Sequence, residues 1–261
     1  METERVKVRL LPSSAGRQSQ FQSLTSFIVD DRLAIDAGSL GFALTPGEMG
    51  AVRHVIVTHA HSDHTASLPI YIAEAFPVLD GPISIYASGE VIETLRQHVF
   101  NDDVWPNFEN IRLRNGSGAT IEFRELRAAE TITISGIEVT PVWVNHIVPT
   151  FGLLLRIEAT AVLFSSDTYI TDEIWKLGRE TEPLKAVFVD VSYPNEMSEL
   201  AAASKHLTPE LLAAELRKLN RDVEVYAVHI KPSNRDDVIK QLAALNDSRV
   251  GVAEIDRVYE W

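Results

Sequence analysis

The sequence predicts an α/β chain in which two β-sheets pack face to face between outer helices, an αββα sandwich built from two similar halves. Three observations predict it. Apolar runs of about six residues alternate with turn signals along the chain. Strand-like runs dominate the centre, and helical stretches flank it on both sides. No linker, low-complexity tract or internal repeat breaks the chain, so residues 1–261 are expected to form a single domain.

The elements follow in order. Val6–Leu11, Thr25–Val29 and Leu33–Asp36 read as early strands, with "DD" turning between the last two. Val52–Val57 reads as a buried strand. A helix is expected over Thr65–Phe76, stopped near Pro77. A strand at Ile83–Tyr86 and a helix at Gly89–Val99 come next, and "FNDDVWPNFEN" reads as a loop carrying aromatics. Strands are expected at Ile111–Leu113, Ala119–Phe123, Thr131–Ile134, Ile137–Val144, Gly152–Glu158 and Ala161–Phe164, where "NGSG" and "SG" support hairpins. The last third alternates: helix Asp172–Gly178, strand Ala186–Val191, helix Pro209–Asn220, strand Val223–Val228, helix Asn234–Leu245.

Composition narrows the chemistry. A chain of 261 residues buries roughly 70–75% of its unfolded surface and needs no covalent staple. It contains no cysteine, which excludes disulfides, thiolate zinc sites, iron–sulfur clusters and cysteine nucleophiles together. Any metal must be held by imidazole and carboxylate. The stretch "METERVKVRLLPSS" lacks the basic start and apolar core of a signal peptide. No apolar run approaches the ~20 residues of a membrane span. The expectation is a soluble, cytoplasmic protein with no membrane partner. A formal net charge of −13 repels polyanions at long range and argues against nucleic acid as a partner. A local metal centre can still outweigh that field for a small anion.

The functional signal begins at "VTHAHSDH", where three of the chain's eight histidines and an aspartate occupy six positions after an apolar run. If the chain stays extended past Val57, His59 and His61 point to one side. Asp63 and His64 follow as the chain turns into the next helix. The first pair can hold one metal ion and the second pair a neighbouring one. Imidazole and carboxylate donors suit zinc, manganese or iron. Four residues do not complete two ions. Single ligand-type residues stand at later strand ends: His146 in "VTPVWVNHIVP", Asp167 in "AVLFSSDTYI" and His229 in "VEVYAVHIKP". Each by itself is a polar strand end. With the first cluster they complete two four-ligand shells.

His-x-His-x-Asp-His after a strand, followed by separate His, Asp and His at later strand ends, resembles the metallo-β-lactamase fold, an αββα four-layer sandwich. "LTSFIVDDRLAIDAGSL", "HVFNDDVWPNF", "SSDT", "LKAVFVDVSYPNEMSEL", "KHLTPELLAAEL" and "AVHIKP" resemble, in order, segments of the class II 3′,5′-cyclic-nucleotide phosphodiesterases, over nearly the whole chain. The histidine motif is shared by the superfamily; the "SYPNE", "HLTP" and "HIKP" series is specific to the family. The resemblance implies His59, His61 and His146 on a first ion, Asp63, His64 and His229 on a second, and Asp167 bridging. It implies two divalent ions, most often zinc, a small cyclic-nucleotide substrate hydrolysed to the 5′-nucleotide, and a homodimer. The sequence departs from the family pattern at Ser62, at the glycine-poor "HTASLPIY", at Lys205, and at Asp190 and Val191, where Glu-Cys is common.

Two ions ~3.5–4 Å apart can share a hydroxide and polarise a phosphoryl oxygen, so the expected chemistry is in-line attack on a cyclic phosphodiester. Asp63 is then expected both to ligate and to orient the nucleophile. His206, in "KHLTPELL" before a helix with N-cap Thr208 and N1 Pro209, is either a surface histidine or the donor that protonates the leaving 3′-oxygen. The matching "HLTP" segment favours the second. Asp36 in "AIDAGS" is either a turn residue or an orienting partner for a ligand imidazole. Asn101, Trp105 and Phe108 form either a base-contacting pocket or a loop tip packed on the core. His54 and His98 have no completed constellation and read as structural. "NGSGAT" lacks the Lys-Ser/Thr of a phosphate loop, and the serines of "LPSSAG" and "SSD" have no His–Asp partners. "PELLAAELRKL" reads as an ordinary packed helix. Three other functions use the same fold: a tRNA 3′-processing-type phosphodiesterase, a lactone or thioester hydrolase, and a catalytically inert binding protein. Acidic charge opposes the first, the phosphodiesterase-like last third opposes the second, and the complete ligand set opposes the third.

Overall fold

The structure, a computed structural model, describes residues 5–13 and 21–261; the first four residues of the N-terminal stretch and Ser14 of "LPSSAG" lie outside them. Two seven-stranded sheets form the centre. The first is built from β1 (Lys7–Leu10), β2 (Phe27–Val29), β3 (Leu33–Ile35), β4 (His54–Ile56), β5 (Ile83–Ala87) and β6 (Ile121–Glu125), with the final strand β14 (Val258–Glu260) on the outer edge of β1. The second contains β7 (Ile132–Ile134), β8 (Ile137–Trp143), β9 (Phe151–Ile157), β10 (Thr160–Phe164), β11 (Leu184–Asp190), β12 (Glu224–Val228) and β13 (Val250–Val252), in the order β13-β12-β11-β10-β9-β8-β7.

Side-chain alternation explains the layers. Leu153 and Leu155 face the other sheet while Leu154 faces outward; on β11, Ala186 and Phe188 face inward and Val187 and Val189 outward. The inward residues of both sheets make one apolar layer that includes Phe27, Phe151, Phe164 and Phe188. Helices α1 (Leu40–Ala43), α2 (Pro46–Ala51), α4 (Leu68–Ala75) and α5 (Gly89–His98) cover the first sheet through Leu40, Met49, Ile72 and Leu95. Helices α6 (Glu173–Glu180), α8 (Pro209–Leu219) and α9 (Arg235–Ala244) cover the second through Trp175, Leu212 and Leu242. The result is the expected αββα order. Among the described residues, no helix is long and apolar enough to cross a membrane.

Local chemistry moves some expected boundaries. The helix expected over Thr65–Phe76 is split into a short α3 (Ser62–Thr65) and α4, whose first turn carries Pro69; proline fits a helix start and not its interior. Ile111–Leu113 is not a strand: it contributes a single bridge, Arg112 to Ala119. Helix α7 (Ser198–Ser204) and the edge strands β13 and β14 were not expected. Thr208 does cap α8, its hydroxyl accepting from Leu211 N–H, with Pro209 in the first turn.

Strand direction gathers the site. Strands β3, β4 and β5 run parallel in the first sheet. In the second, β10, β11 and β12 are parallel, and β8 runs with them because both β8 and β10 are antiparallel to β9. In such sheets ligands bind beyond the carboxyl ends of the strands. Asp36, Thr58–His59, His146, Asp167, Asp190 and His229 all stand at or just past such ends.

Gly38 ties this edge to the first sheet. A Cβ there would overlap the carbonyl oxygen of Asp63 and lie 2.8 Å from the Thr25 nitrogen, which itself donates to Asp63 O at 2.8 Å. Gly38→Ala is expected to cost about 1–3 kcal/mol through overpacking and to shift the Asp63 loop. Thermal unfolding should show a lower Tm, and metal titration a weaker affinity; an unchanged Tm would mean the loop yields freely.

Candidate metal centre

The seven side chains singled out as ligands, scattered from residue 59 to residue 229, lie in two adjoining groups. The first is His59, His61, His146 and Asp167. His61 Nδ1 sits 3.1 Å from His59 Nε2 and 3.2 Å from His146 Nε2. Asp167 Oδ2 is 3.6 Å from His59 Nε2 and 4.0 Å from His146 Nε2. A tetrahedron with zinc–nitrogen bonds of ~2.0–2.1 Å has edges of about 3.3–3.4 Å, so these nitrogens converge at ligand spacing. The second group is Asp63, His64 and His229, with Asp63 Oδ2 3.1 Å from His229 Nε2. Asp167 joins them: its Oδ1 is 3.3 Å from His64 Nε2 and 3.6 Å from His229 Nδ1. One carboxylate oxygen thus faces each group.

The rings of His59, His64, His146 and His229 are oriented through hydrogen bonds at Nδ1. Asp36 Oδ2 accepts from His64 Nδ1 at 2.7 Å, leaving His64 Nε2 buried with no hydrogen-bond partner among the described residues. A buried imidazole nitrogen without a partner is costly unless a cation takes its lone pair. The site therefore fits a metal on its own geometry. Asp36 also accepts from Thr58 N–H at 2.8 Å and from the Thr58 hydroxyl, whose oxygen lies 3.1 Å from His59 Nδ1. Between the alternatives for Asp36, the structure shows the orienting partner. His146 Nδ1 donates to Lys205 C=O at 3.1 Å. His229 Nδ1 lies 2.9 Å from the Ser192 hydroxyl, which donates to Asp190 at 2.7 Å.

The backbone is turned tightly around this edge. Asp36, Ser166, Lys205 and His229 all have φ between 53° and 61°, the left-handed region that non-glycine residues rarely enter. Such conformations persist where the surroundings over-determine them. At His229 the backbone N–H donates to Gln22 Oε1 at 2.9 Å, which helps hold the turn.

His206 is buried, 6% exposed, with its ring centroid 5.2 Å from those of both His146 and His229. Its Nδ1 is 2.7 Å from Asp190 Oδ2. Asp190, at the end of β11, was read in the sequence only as a departure from the family pattern. Its position two residues before "SYPNE", at the end of a strand, was the available signal. The His206 beside it, against the pull of burial, holds its carboxyl down to about 2. Ser192 and Lys231 were also missed as site residues.

The loop at Asn101–Phe108 takes the core-packing alternative. Phe108 is buried with Phe100 under the first half's helices, Trp105 packs on the same cluster, and Asn101 Oδ1 accepts from Asp103 and Val104 N–H. His98 is exposed and His54 pairs with the Tyr86 hydroxyl at 3.2 Å.

The two groups differ in proton affinity. Burial pushes His59, His61 and His146 below the usual imidazole range, leaving neutral donors. Burial acts the same way on His64 and His229, but Asp167 outweighs it, with Asp36 for His64 and with Asp190 and Asp63 for His229. His64 is raised well above 6.5 and His229 to about 9. A metal needs neutral imidazole, so binding at the second group must displace protons. For chelated protein, the raised pKa of His229 contributes stability that is full below 6.5 and lost as pH rises through about 9. Two results are expected. Between pH 6.5 and 9 the chelated protein should lose thermal stability while metal affinity at the second group rises. Calorimetry in buffers of different ionisation enthalpy should register proton release mainly with the second equivalent. Identical loading of both equivalents at pH 6 would refute the asymmetry.

Two sheets within outer helices and a shared histidine–aspartate edge define a metallo-β-lactamase-fold hydrolase. The chain belongs to the beta-lactamase superfamily domain family, which it matches over residues 33–230, from β3 to just past His229. It is similar to a probable 3′,5′-cyclic-nucleotide phosphodiesterase of Yersinia pestis, 29% identical over an alignment of 209 positions that covers 70% of this chain and 58% of the relative. The chain thus spans less than two thirds of that relative's length. Unliganded yeast PDE1 superposes with a TM-score of 0.79 at 17% identity, covering 97% of this chain and 98% of that one. The short form of human tRNase Z superposes at 0.65 and 16% identity, covering 97% and 98%. These structural likenesses concern the fold.

Proposed function

We propose that the protein is a dinuclear metal-dependent phosphodiesterase that hydrolyses 3′,5′-cyclic nucleotides, cyclic AMP or cyclic GMP, to 5′-nucleotides. One observation carries the reading: Asp167 has one oxygen 3.6 Å from His59 Nε2 and the other 3.3 Å from His64 Nε2, between the two ligand groups, and a histidine–aspartate pair, His206 with Asp190, stands against both. The name of the Yersinia pestis relative supports the substrate class. His59, His61 and His146 would hold one divalent ion, Asp63, His64 and His229 the other, and Asp167 both; zinc suits this nitrogen-rich set best, with manganese or iron as alternatives. Such ions supply Lewis acidity at a phosphoryl oxygen and an activated water.

The chain's own residues do the rest. His206 as imidazolium keeps Nδ1–H on Asp190 and presents Nε2–H to the leaving 3′-oxygen; as the P–O3′ bond breaks, that proton completes the 3′-hydroxyl. Asp190 stabilises the imidazolium, and its buried carboxylate keeps the ring turned. Asp63, hydrogen-bonded at 3.1 Å to His229, is fixed at the lip of the second group, where it can orient the attacking water.

The test is a side-by-side assay of purified, metal-quantified protein on 3′,5′-cyclic AMP, cyclic GMP, 2′,3′-cyclic AMP, bis-p-nitrophenyl phosphate, a pre-tRNA, a lactone and a thioester. Turnover of the 3′,5′-cyclic nucleotides with about two ions per chain is expected. Turnover of pre-tRNA alone would favour the tRNA-processing reading, which the net charge of −13 opposes. Turnover of a lactone or thioester alone would overturn the phosphodiesterase.

A further inference from the structure

Among the described residues, the ion pairs of Asp63, Asp167 and Asp190 involve a single ammonium, Lys231; every other cationic partner is imidazole. Its Nζ lies 3.3 Å from Asp63 Oδ2 and 3.2 Å from His229 Nε2. These are two ligand atoms of the second group. A divalent ion and an ammonium cannot both hold them, because like charges would share one carboxylate oxygen and one lone pair.

Which partner yields is set by the surroundings. His229 is locked through Ser192, and the Asp63 carbonyl is held by Thr25 N–H. Lys231 has a flexible four-carbon stem and a side chain 29% exposed at the rim. Its backbone stays put: its N–H donates to Ser192 O at 3.3 Å, its carbonyl accepts from Asn234 N–H at 2.9 Å, and Pro232 follows. The ammonium therefore moves while remaining within a side chain's length of the second group.

We propose that Lys231 binds the non-bridging phosphoryl oxygen of an anionic diester at this centre and so selects phosphodiesters over neutral lactones and thioesters. The inference rests on the phosphodiesterase reading and names the group that recognises its substrate's charge. A neutral carbonyl substrate offers the displaced ammonium no counter-charge, whereas a phosphodiester brings one negative charge to it. The rest of the acidic surface repels that charge. Lysine serves phosphate as a compact point charge, which suits a single oxygen beside a metal.

The test compares wild type with Lys231→Met, Lys231→Gln and Lys231→Arg, each first shown to carry the same number of metal ions. The affinity of the loaded proteins for inorganic phosphate is measured by calorimetry, and KM and kcat are measured on bis-p-nitrophenyl phosphate. A charge-assisted contact predicts phosphate binding weakened roughly tenfold to a hundredfold in the Met and Gln variants and largely restored in Arg. KM should rise by a similar factor. Wild-type phosphate affinity in the Met and Gln variants would overturn the proposal, as would loss of a metal equivalent in both, which would make Lys231 part of the metal site's architecture. Failure of the wild type to turn over any phosphodiester would sink the proposed function instead, and the phosphate comparison would show it separately.

Discussion

Asp167→Ala is expected to empty the metal centre. Asp167 has an oxygen toward each ligand group, at 3.6 Å from His59 Nε2 on one side and 3.3 Å from His64 Nε2 on the other. Losing a residue that merely orients a ligand typically costs 10–100-fold in metal affinity. A ligand shared by both groups should cost about the upper figure or more at each. Metal analysis after dialysis should find well under one ion per chain, and activity should fall to background with every substrate, whatever its leaving group. The chelated variant has a second signature. Asp167 is the main influence that keeps His64 and His229 protonated against burial. Removing one partner of a buried charge pair costs about 3–5 kcal/mol unless the survivor can neutralise itself. These imidazoles can do so by losing a proton, so the destabilisation should be larger at pH 6 than at pH 9. Retention of two ions by Asp167→Ala would mean that the groups are not joined through this carboxylate.

Most of that centre was legible in the sequence because the fold delivers it by simple rules. An apolar strand ending in one ligand-type residue is visible in "AVLFSSD" and "VEVYAVH", and parallel strand direction brings such ends to one edge. The uninterrupted apolar run Leu153–Leu155 puts apolar side chains on both faces of β9, one toward the other sheet and one toward a helix layer. Short elements were missed for physical reasons. Helix α7 spans seven residues of mostly alanine and polar side chains with Ala201 as its buried contact, so it leaves little periodic trace. Strands β13 and β14 are three-residue edges, too short for a period of two to stand out in the sequence. Pro69, a helix-start signal, was overlooked in favour of an unbroken helix. The supporting residues were the hardest to find. Thr58, Asp190, Ser192 and Lys231 act through hydrogen bonds and ion pairs across large sequence separations, such as Lys231 with Asp63, and no local pattern encodes those.

The same support argues for a leaving-group dependence at His206. With Nδ1 held on Asp190 at 2.7 Å and Ser192 at 3.2 Å, the ring has one remaining polar atom, Nε2, with which to exchange a proton. His206→Ala removes that donor and keeps all seven proposed ligands in the chain. Metal content should stay at the wild-type level, and kcat for a 3′,5′-cyclic nucleotide should fall by about 10²–10⁴-fold. A ribose 3′-alkoxide leaves poorly without a proton, whereas p-nitrophenolate leaves unaided, so the loss on bis-p-nitrophenyl phosphate should be much smaller. Asp190→Asn should act in the same direction but less strongly. It keeps a hydrogen-bond acceptor for Nδ1 yet withdraws the negative charge that anchors the ring, so kcat for the cyclic nucleotide should fall while that for the aryl ester changes little. Equal losses on both substrates would reject proton donation by His206. Wild-type kcat on both substrates in Asp190→Asn would leave the histidine acting without its carboxylate, and the buried pair would then be a packing feature of β11 and the turn before α8.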